Sequence, residues 1–198
     1  MSNEKKKDRE VLVVLDLETT GLRPGRDVIL ELAFIAVDNE TLKELGRFQS
    51  VVCRELNPID MPSVVRKMHT DNGLFLEVIN TTSDSKGWTL NQKRVETLAI
   101  RALSEAVDPN VDYPPLDGVR LILTGNSVHF DRSFLRVEMP DLEKLFYHGH
   151  ADVSSARRVL GATPPGGEVA HRAMADCEMS LAALKALRAD YAARRVAP

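Results

Sequence analysis

The chain has 198 residues, of which 43% are hydrophobic and 28% are charged, and its formal net charge is −3. This length and composition are ordinary for one globular domain whose core needs no disulfide framework. The two cysteines, Cys53 and Cys177, lie among apolar neighbours and are predicted to be buried thiols. The net charge argues against a protein that grips long duplexes, because such proteins usually carry a strong basic excess.

No apolar run reaches the roughly 20 residues that a transmembrane helix requires, so no membrane contact is predicted. Residues 1–10 are polar, lack the apolar stretch of a secretory signal and are predicted to form a disordered tail. A cytoplasmic location is expected from these two features. Residues 11–194 show no internal boundary and are predicted to form one domain.

The first half of the chain is predicted to contain three strands. The run VLVVLDL over 11–17 is continuous and β-prone, as in a central strand buried on both faces. The runs over 28–37 and 42–53 are separated by a short turn, which predicts an antiparallel hairpin. Residues 57–87 are less regular, with a helical stretch near 62–68, and form either a substrate-side loop or a plain surface connection.

Helices dominate the second half. Apolar spacing and helix-start signals predict helices over 91–107, from about 128 to 137, and over 140–147, 153–160 and 171–194. Short strands are predicted at 119–123 and around 151–152. The order βββαβα, followed by further helices, predicts an α/β protein with a mixed sheet and helices packed against it.

Three separated blocks carry four carboxylates and one histidine. They are LDLETTGL with Asp16 and Glu18, TGNSVHFDRSFL with Asp131, and HRAMADCE with His171 and Asp176. The period of a strand places Asp16 and Glu18 on the same side, and carboxylates are rarely buried without a cation to compensate them. Four converging carboxylates can hold two divalent cations, and a histidine can accept a proton from water. The blocks therefore indicate a two-metal phosphodiester hydrolase.

Each block has a plainer interpretation when it is taken alone. Asp16 and Glu18 could be two solvated acids at an exposed strand end, and His171 could be a surface histidine. Asp131 could be an acid favoured by the positive end of a helix dipole, and Asn126 and Ser127 could be N-cap residues of that helix. Alternatively, Ser127 reaches a phosphate. Five residues of an ideal helix rotate the chain by about 500°, so His171 and Asp176 cannot both face one site from mid-helix. His171 is therefore predicted at or before the start of the helix.

Together the blocks resemble the DEDDh branch of the 3′→5′ exonucleases. The stretches MPSVVRKMHTDNGL, MPDLEKLF and ADVSSARRVL also follow one another as in oligoribonucleases, which degrade very short RNA. The resemblance covers residues 11–187 and implies an RNase H-like fold with a mixed sheet of about five strands flanked by helices. It also implies a homodimer that hydrolyses short single-stranded RNA to 5′-mononucleotides.

The resemblance implies roles for the five residues of the blocks. Asp16, Glu18, Asp131 and Asp176 would bind two divalent cations, and His171 would be the general base. Asp16 would bridge the cations, whereas Asp131 would hold the second one. Oxygen ligands of this kind suit Mg²⁺, and Mn²⁺ also fits them.

Substrate contacts are implied for four further residues. Leu22, which follows the first block, would wedge against the terminal bases. His69 and Ser127 match positions that contact the bases or the 5′ phosphate, and Asn126 is expected to bind substrate beside Ser127.

Four positions depart from the oligoribonuclease pattern. Thr19 replaces a Met, Val64 replaces a base-stacking Trp, and His148-Gly149 replace a Tyr-Arg pair that caps the 5′ phosphate. Each lost stacking or bidentate contact is worth about 1–3 kcal/mol. A broader exonuclease acting on single-stranded RNA or DNA is therefore an alternative. An inactive nucleic-acid-binding module is an alternative of another class.

Overall fold

A computed structural model describes residues 9–56, 61–81, 87, 89–108, 110, 118–163 and 170–196. The strands are β1 (Arg9–Thr19), β2 (Ile29–Asp38), β3 (Glu44–Val51), β4 (Val119–Gly125) and β5 (Phe146–Asp152). The helices are α1 (Ser63–Asp71), α2 (Leu74–Asn80), α3 (Gln92–Val107), α4 (His129–Glu138), α5 (Pro140–Glu143), α6 (Val153–Leu160) and α7 (Ala173–Val196).

The five strands form one mixed sheet in the order β3-β2-β1-β4-β5. β1 lies at the centre, antiparallel to β2 and parallel to β4, and β5 continues the parallel part at one edge. Helices pack against both faces of the sheet. The predicted α/β class, with a mixed sheet of five strands flanked by helices, is confirmed.

The central strand presents a different set of side chains to each face of the sheet. Val13 and Leu15 pack in the larger core with α3 and α4, whereas Leu12 and Val14 pack against α7. Because side chains alternate along a strand, the next even-numbered residues also face α7. The apolar run of β1 thus ends in two acidic residues on the face that α7 covers.

The N-terminal boundary and the hairpin follow the prediction with small shifts. β1 begins at Arg9, and the last two residues of the predicted tail 1–10 belong to the sheet because they pair with the start of β4. Residues 1–8 lie outside the described part of the chain. The hairpin turn is held by Asp38, whose Oδ1 accepts hydrogen bonds from the N–H groups of Glu40 and Thr41.

Cys177 is buried as predicted, whereas Cys53 is only half-buried beyond the end of β3.

Residues 140–152 differ most from the sequence prediction. The helix predicted over 140–147 ends at Glu143, and the chain enters the sheet at Phe146, earlier than the strand predicted around 151–152. Pairing with β4 and a 2.8 Å hydrogen bond from Arg132 Nη1 to the carbonyl oxygen of His148 hold this segment extended. Long-range contacts of this kind have no local sequence signal.

Residues 57–87, predicted to be mostly irregular, contain two helices in their described part. α1 covers the predicted helical stretch, and α2 was not predicted. Gly73 separates them with a φ of 80°, a left-handed conformation that glycine adopts readily. α2 buries Leu74 and Val78 in a small core with Leu30. None of the described helices is long and apolar enough to cross a membrane.

Candidate active site

The three sequence blocks meet at the end of β1. Asp16 and Glu18 come from that strand, Asp131 from the first turn of α4, and Asp176 from the first turn of α7. His171 lies two residues before α7. Ligand atoms of Glu18, His171 and Asp176 all lie within 4.8 Å of one another. The fold therefore brings together the five residues that the blocks indicated.

The backbone places Asp131 and His171 in different ways. Asp131 is buried, and its Oδ1 accepts the backbone N–H of Leu17 at 3.1 Å, which ties α4 to β1 between the two acids of that strand. His171 has a φ of 49°, which is uncommon for a residue with a side chain. The predicted position of His171 before the helix, with Asp176 inside it, is confirmed.

Burial and mutual repulsion make the carboxylates difficult to ionise. Burial, followed by the charges of Asp131, Glu18 and Asp176, raises the pKa of Asp16 well above its usual value. Burial, then the charge of Asp176, raises the pKa of Glu18 to about 8. Burial raises the pKa of Asp131 to about 7, although hydrogen bonds from backbone N–H groups oppose the shift. A site with these properties needs positive charge to hold all its carboxylates ionised.

The donor set fits divalent cations. Four carboxylates supply oxygen ligands of the kind that hard divalent cations prefer. Asp176 Oδ1 is buried and has no hydrogen-bond partner in the described part of the chain. An unpartnered buried carboxylate oxygen is costly, and coordination to a cation would satisfy it.

Among the predicted substrate residues, His69 lies beside Glu18, whereas Leu22 follows the end of β1. His69 is fully buried, donates from Nε2 to the Thr19 carbonyl at 2.9 Å, and has Nδ1 4.0 Å from Glu18 Oε2. Burial lowers the pKa of His69, which favours the neutral ring. Leu22 is 76% exposed in the loop after β1.

Asn126 and Ser127 are not N-cap residues of α4. The N-cap is Val128, whose N–H donates to Asp152 Oδ2 at 3.1 Å, and no cap side chain bonds to the helix. Asn126 Nδ2 donates to Ser180 Oγ on α7 at 2.8 Å, whereas its buried Oδ1 has no partner among the described residues. The N–H of Ser127 donates to Ser154 Oγ, and its φ is 52°.

A cavity of about 680 Å³ opens beside His171. Its lining residues come from α1, its C-terminal cap and the segment before α7: Val64, Lys67, Met68, Asp71, Asn72, Ala170 and His171. Val64 is 75% exposed there, so the position where the resembled family has a Trp faces open space. His171 thus lies both in the lining of this cavity and beside Glu18 and Asp176.

Glu31 was not indicated by the motifs, although it lies beside the cluster. It is fully buried on β2 and pairs in register with Glu18 on β1. Burial alone would raise its pKa, but hydrogen bonds from Arg172, Gln49 and the backbone N–H of Ala173 outweigh burial and lower it. The signal in the sequence was one carboxylate inside the apolar run VILELAFIAV, because a buried acid requires partners.

Solved structures resemble the fold. Exonuclease I of E. coli, determined in complex with a dT13 oligonucleotide, gives a TM-score of 0.55 at 15% identity. The match covers 91% of this chain but only 41% of exonuclease I. Cell-death related nuclease 4 (CRN-4) gives a TM-score of 0.50 at 13% identity, covering 89% of this chain and 63% of that protein. These likenesses support an RNase H-like sheet.

Proteins found by sequence comparison are more similar to the chain than these solved structures are. The RNase T model, which describes an exonuclease family, matches residues 13–113. The oligoribonuclease of Rhodococcus jostii strain RHA1 is 35% identical over 191 residues, covering 91% of this chain and 87% of that protein. The oligoribonuclease of Corynebacterium diphtheriae is 34% identical over 186 residues, covering 89% and 80% respectively.

The sheet, the acidic cluster and the matched model define the class of protein as an exonuclease. The relatives narrow this class further. The chain belongs to the oligoribonuclease family of 3′→5′ exonucleases.

Proposed function

We propose that the chain hydrolyses short single-stranded oligoribonucleotides from the 3′ end to 5′-mononucleotides by a two-metal-ion mechanism. The observation that carries the proposal is the convergence of four carboxylates and His171 at the end of β1. The oligoribonucleases matched over 91% and 89% of the chain support RNA as the substrate class.

In this proposal Asp16, Glu18, Asp131 and Asp176 hold two cations, Mg²⁺ or Mn²⁺. When bound, such cations lower the pKa of a water molecule and stabilise the negative charge that develops on the departing 3′ oxygen. His171 takes a proton from the attacking water, since its ring lies beside Glu18 and Asp176 and imidazole is suited to proton transfer near neutral pH.

Four residues outside the acidic cluster are assigned to substrate binding. The exposed Leu22 wedges against the terminal bases, and His69 contacts the nucleotide from the buried side, next to Glu18. Ser127 and Asn126 bind substrate at the end of β4. The buried, unpartnered Oδ1 of Asn126 supports such a contact, because a donor on the substrate would satisfy it.

The remaining parts of the proposal rest on the family and on the composition. The active form is a homodimer in the cytoplasm, and residues 11–194 make up a single exonuclease domain. A gel-filtration run with light-scattering detection tests the dimer directly.

A second candidate is a broader exonuclease that accepts longer single-stranded RNA or DNA. The observation that favours it is the 75% exposure of Val64 in an open cavity, together with Gly149 where a guanidinium would bind phosphate. A site that lacks these two contacts has less to select a dinucleotide over a longer strand.

The test of the function is a timed digest of 5′-labelled RNA 2-mer, 7-mer and 20-mer with Mg²⁺. We expect fast, metal-dependent loss of the 2-mer, with mononucleotides as the product. Preference for the 20-mer, or equal rates on DNA, would select the broader exonuclease. Loss of none of the substrates would contradict both candidates.

Val64→Trp is predicted to lower the KM for the RNA 2-mer by about fivefold or more, the effect of about 1 kcal/mol of base stacking. The new ring would supply an aromatic face in the cavity beside His171. Val159→Trp is the matched control, because Val159 is 86% exposed on α6 and does not line that cavity. An unchanged KM for Val64→Trp would show that no base occupies this position.

A further inference from the structure

Glu31 receives a dense set of hydrogen bonds for a residue that belongs to none of the motifs. Arg172 donates to it twice, from Nε to Oε2 at 3.1 Å and from Nη2 to Oε1 at 2.8 Å. Gln49 Nε2 donates at 2.7 Å, and the backbone N–H of Ala173 donates at 3.0 Å. Four hydrogen bonds to one buried carboxylate make a rigid anchor, since charge-assisted and bidentate bonds are the strong ones.

Two of these partners directly follow His171 in the chain. Arg172 is the next residue, and Ala173 is the first residue of α7. Arg172 is also bonded to Glu77 on α2 at 2.7 Å. On the other side, the Asn72 side-chain amide donates to the carbonyl oxygen of His171. The backbone around His171 is therefore held by Glu31 on β2 and by Asn72, the C-terminal cap of α1.

His171 needs such support because its backbone is in the left-handed region, with a φ of 49°. This conformation is unfavourable for a residue with a side chain, and it persists only where neighbouring contacts impose it. Relaxation to an ordinary φ would turn the imidazole away from Glu18 and Asp176. The conformation that brings the ring to the carboxylates is thus the one that the anchor must maintain.

We propose that Glu31 is a positioning residue that acts through Arg172 and the start of α7 to hold the His171 imidazole at the acidic cluster. The inference rests on the proposed function, in which His171 is the general base. Glu31 itself touches neither substrate nor the reacting atoms in this scheme. Its carboxylate accepts hydrogen bonds from four donor groups and leaves the coordination of cations to its neighbours.

The first variant is Glu31→Gln, measured on a 5′-labelled RNA 7-mer at saturating Mg²⁺. Glutamine keeps the shape of the side chain but presents an NH₂ group to N–H groups that donate to Glu31. At least one of the four hydrogen bonds that residue 31 accepts is therefore lost. We expect kcat to fall by about 10- to 100-fold, as for a catalytic group displaced by about 1 Å. KM should stay within a factor of about two, because substrate contacts are unchanged.

A double-mutant cycle separates positioning from other effects of the lost charge. In a His171→Ala background, Glu31→Gln should lower kcat no further, because there is no ring left to position. An equal loss in both backgrounds would overturn the inference, since it would mean that Glu31 acts on the carboxylates or on the fold as a whole. A higher KM with unchanged kcat would overturn it as well.

Three further variants test whether Arg172 transmits the effect of Glu31. Glu77→Gln removes the more exposed carboxylate partner of Arg172 and should change kcat by less than about threefold. Arg172→Lys keeps the charge but not the bidentate bond, so kcat should lie between wild type and Arg172→Met. If wild type shows no nuclease activity, the proposed function fails; if wild type is active and the cycle is additive, only this inference fails.

Discussion

Asp16→Asn should reduce nuclease activity by about 1,000-fold or more, a loss of about 4 kcal/mol of transition-state stabilisation. The charges of the three other acids of the cluster all raise the pKa of Asp16, so its carboxylate is one of the charges that the cations must balance. Asparagine keeps the shape but removes the charge. The measurement is the initial rate on the RNA 7-mer with Mg²⁺, compared with wild type.

The same substitution should make the metal-free protein more stable, because one of several mutually repelling buried acids is gone. Activity and metal-free melting temperature are therefore expected to change in opposite directions. Asp190→Asn, in an exposed i,i+4 pair with Arg194, is the control and should leave both quantities near their wild-type values. A fully active Asp16→Asn protein would remove Asp16 from the catalytic assignment.

Without metal, the free energy of unfolding is predicted to fall as the pH rises from about 4 to about 8. Glu18 titrates with a pKa of about 8 in the fold against 4.5 normally, and Asp131 with about 7 against 3.8. Raised pKa values mean that the folded state binds more protons than the unfolded state in this interval. Ionisation of Glu18 and Asp131 therefore destabilises the fold. This destabilisation is absent at a pH below their pKa values in the unfolded chain and complete at a pH above their pKa values in the folded protein.

Divalent metal should reverse this trend. At about 100 times the Kd, a ligand that binds only the folded state adds about 2.7 kcal/mol, which is about 5–10 °C in Tm for a chain of this size. The gain should be larger at pH 8 than at pH 5.5, since protons compete with the cations for Glu18 and Asp131.

Thermal unfolding in EDTA and in Mg²⁺, each at pH 5.5, 7 and 8.5, checks both parts of this prediction. Asp16→Asn serves as the internal control and should lose most of the metal-dependent gain. Melting temperatures that are equal in EDTA and Mg²⁺ at pH 8.5 would contradict the assignment of the cluster as a cation site.

Much of the site was predictable because its residues carry local signals. Asp16 and Glu18 interrupt an apolar strand with period two, and the spacing between His171 and Asp176 is incompatible with one helical face. These patterns predicted that both acids of β1 face one side and that His171 precedes α7, as the structure shows.

Other features depended on contacts between distant parts of the chain. The segment from Phe146 is a strand because β4 and Arg132 hold it, although local spacing predicts a helix that extends from Pro140 to 147. Asn126 and Ser127 have good capping side chains, yet Asp152 and Ser154 receive the N–H groups of Val128 and Ser127. Local propensity is a weak prior that tertiary contacts override.

The sequence by itself determined the class of chemistry, because few arrangements other than a cation site explain two acids within an apolar strand. It also determined that the central strand is β1. Only the tertiary structure decided how the histidine is held. The pairing of Glu31 with Arg172 joins residues 141 positions apart, and no periodicity connects them. A buried carboxylate requires partners, but the fold chooses which residues supply them.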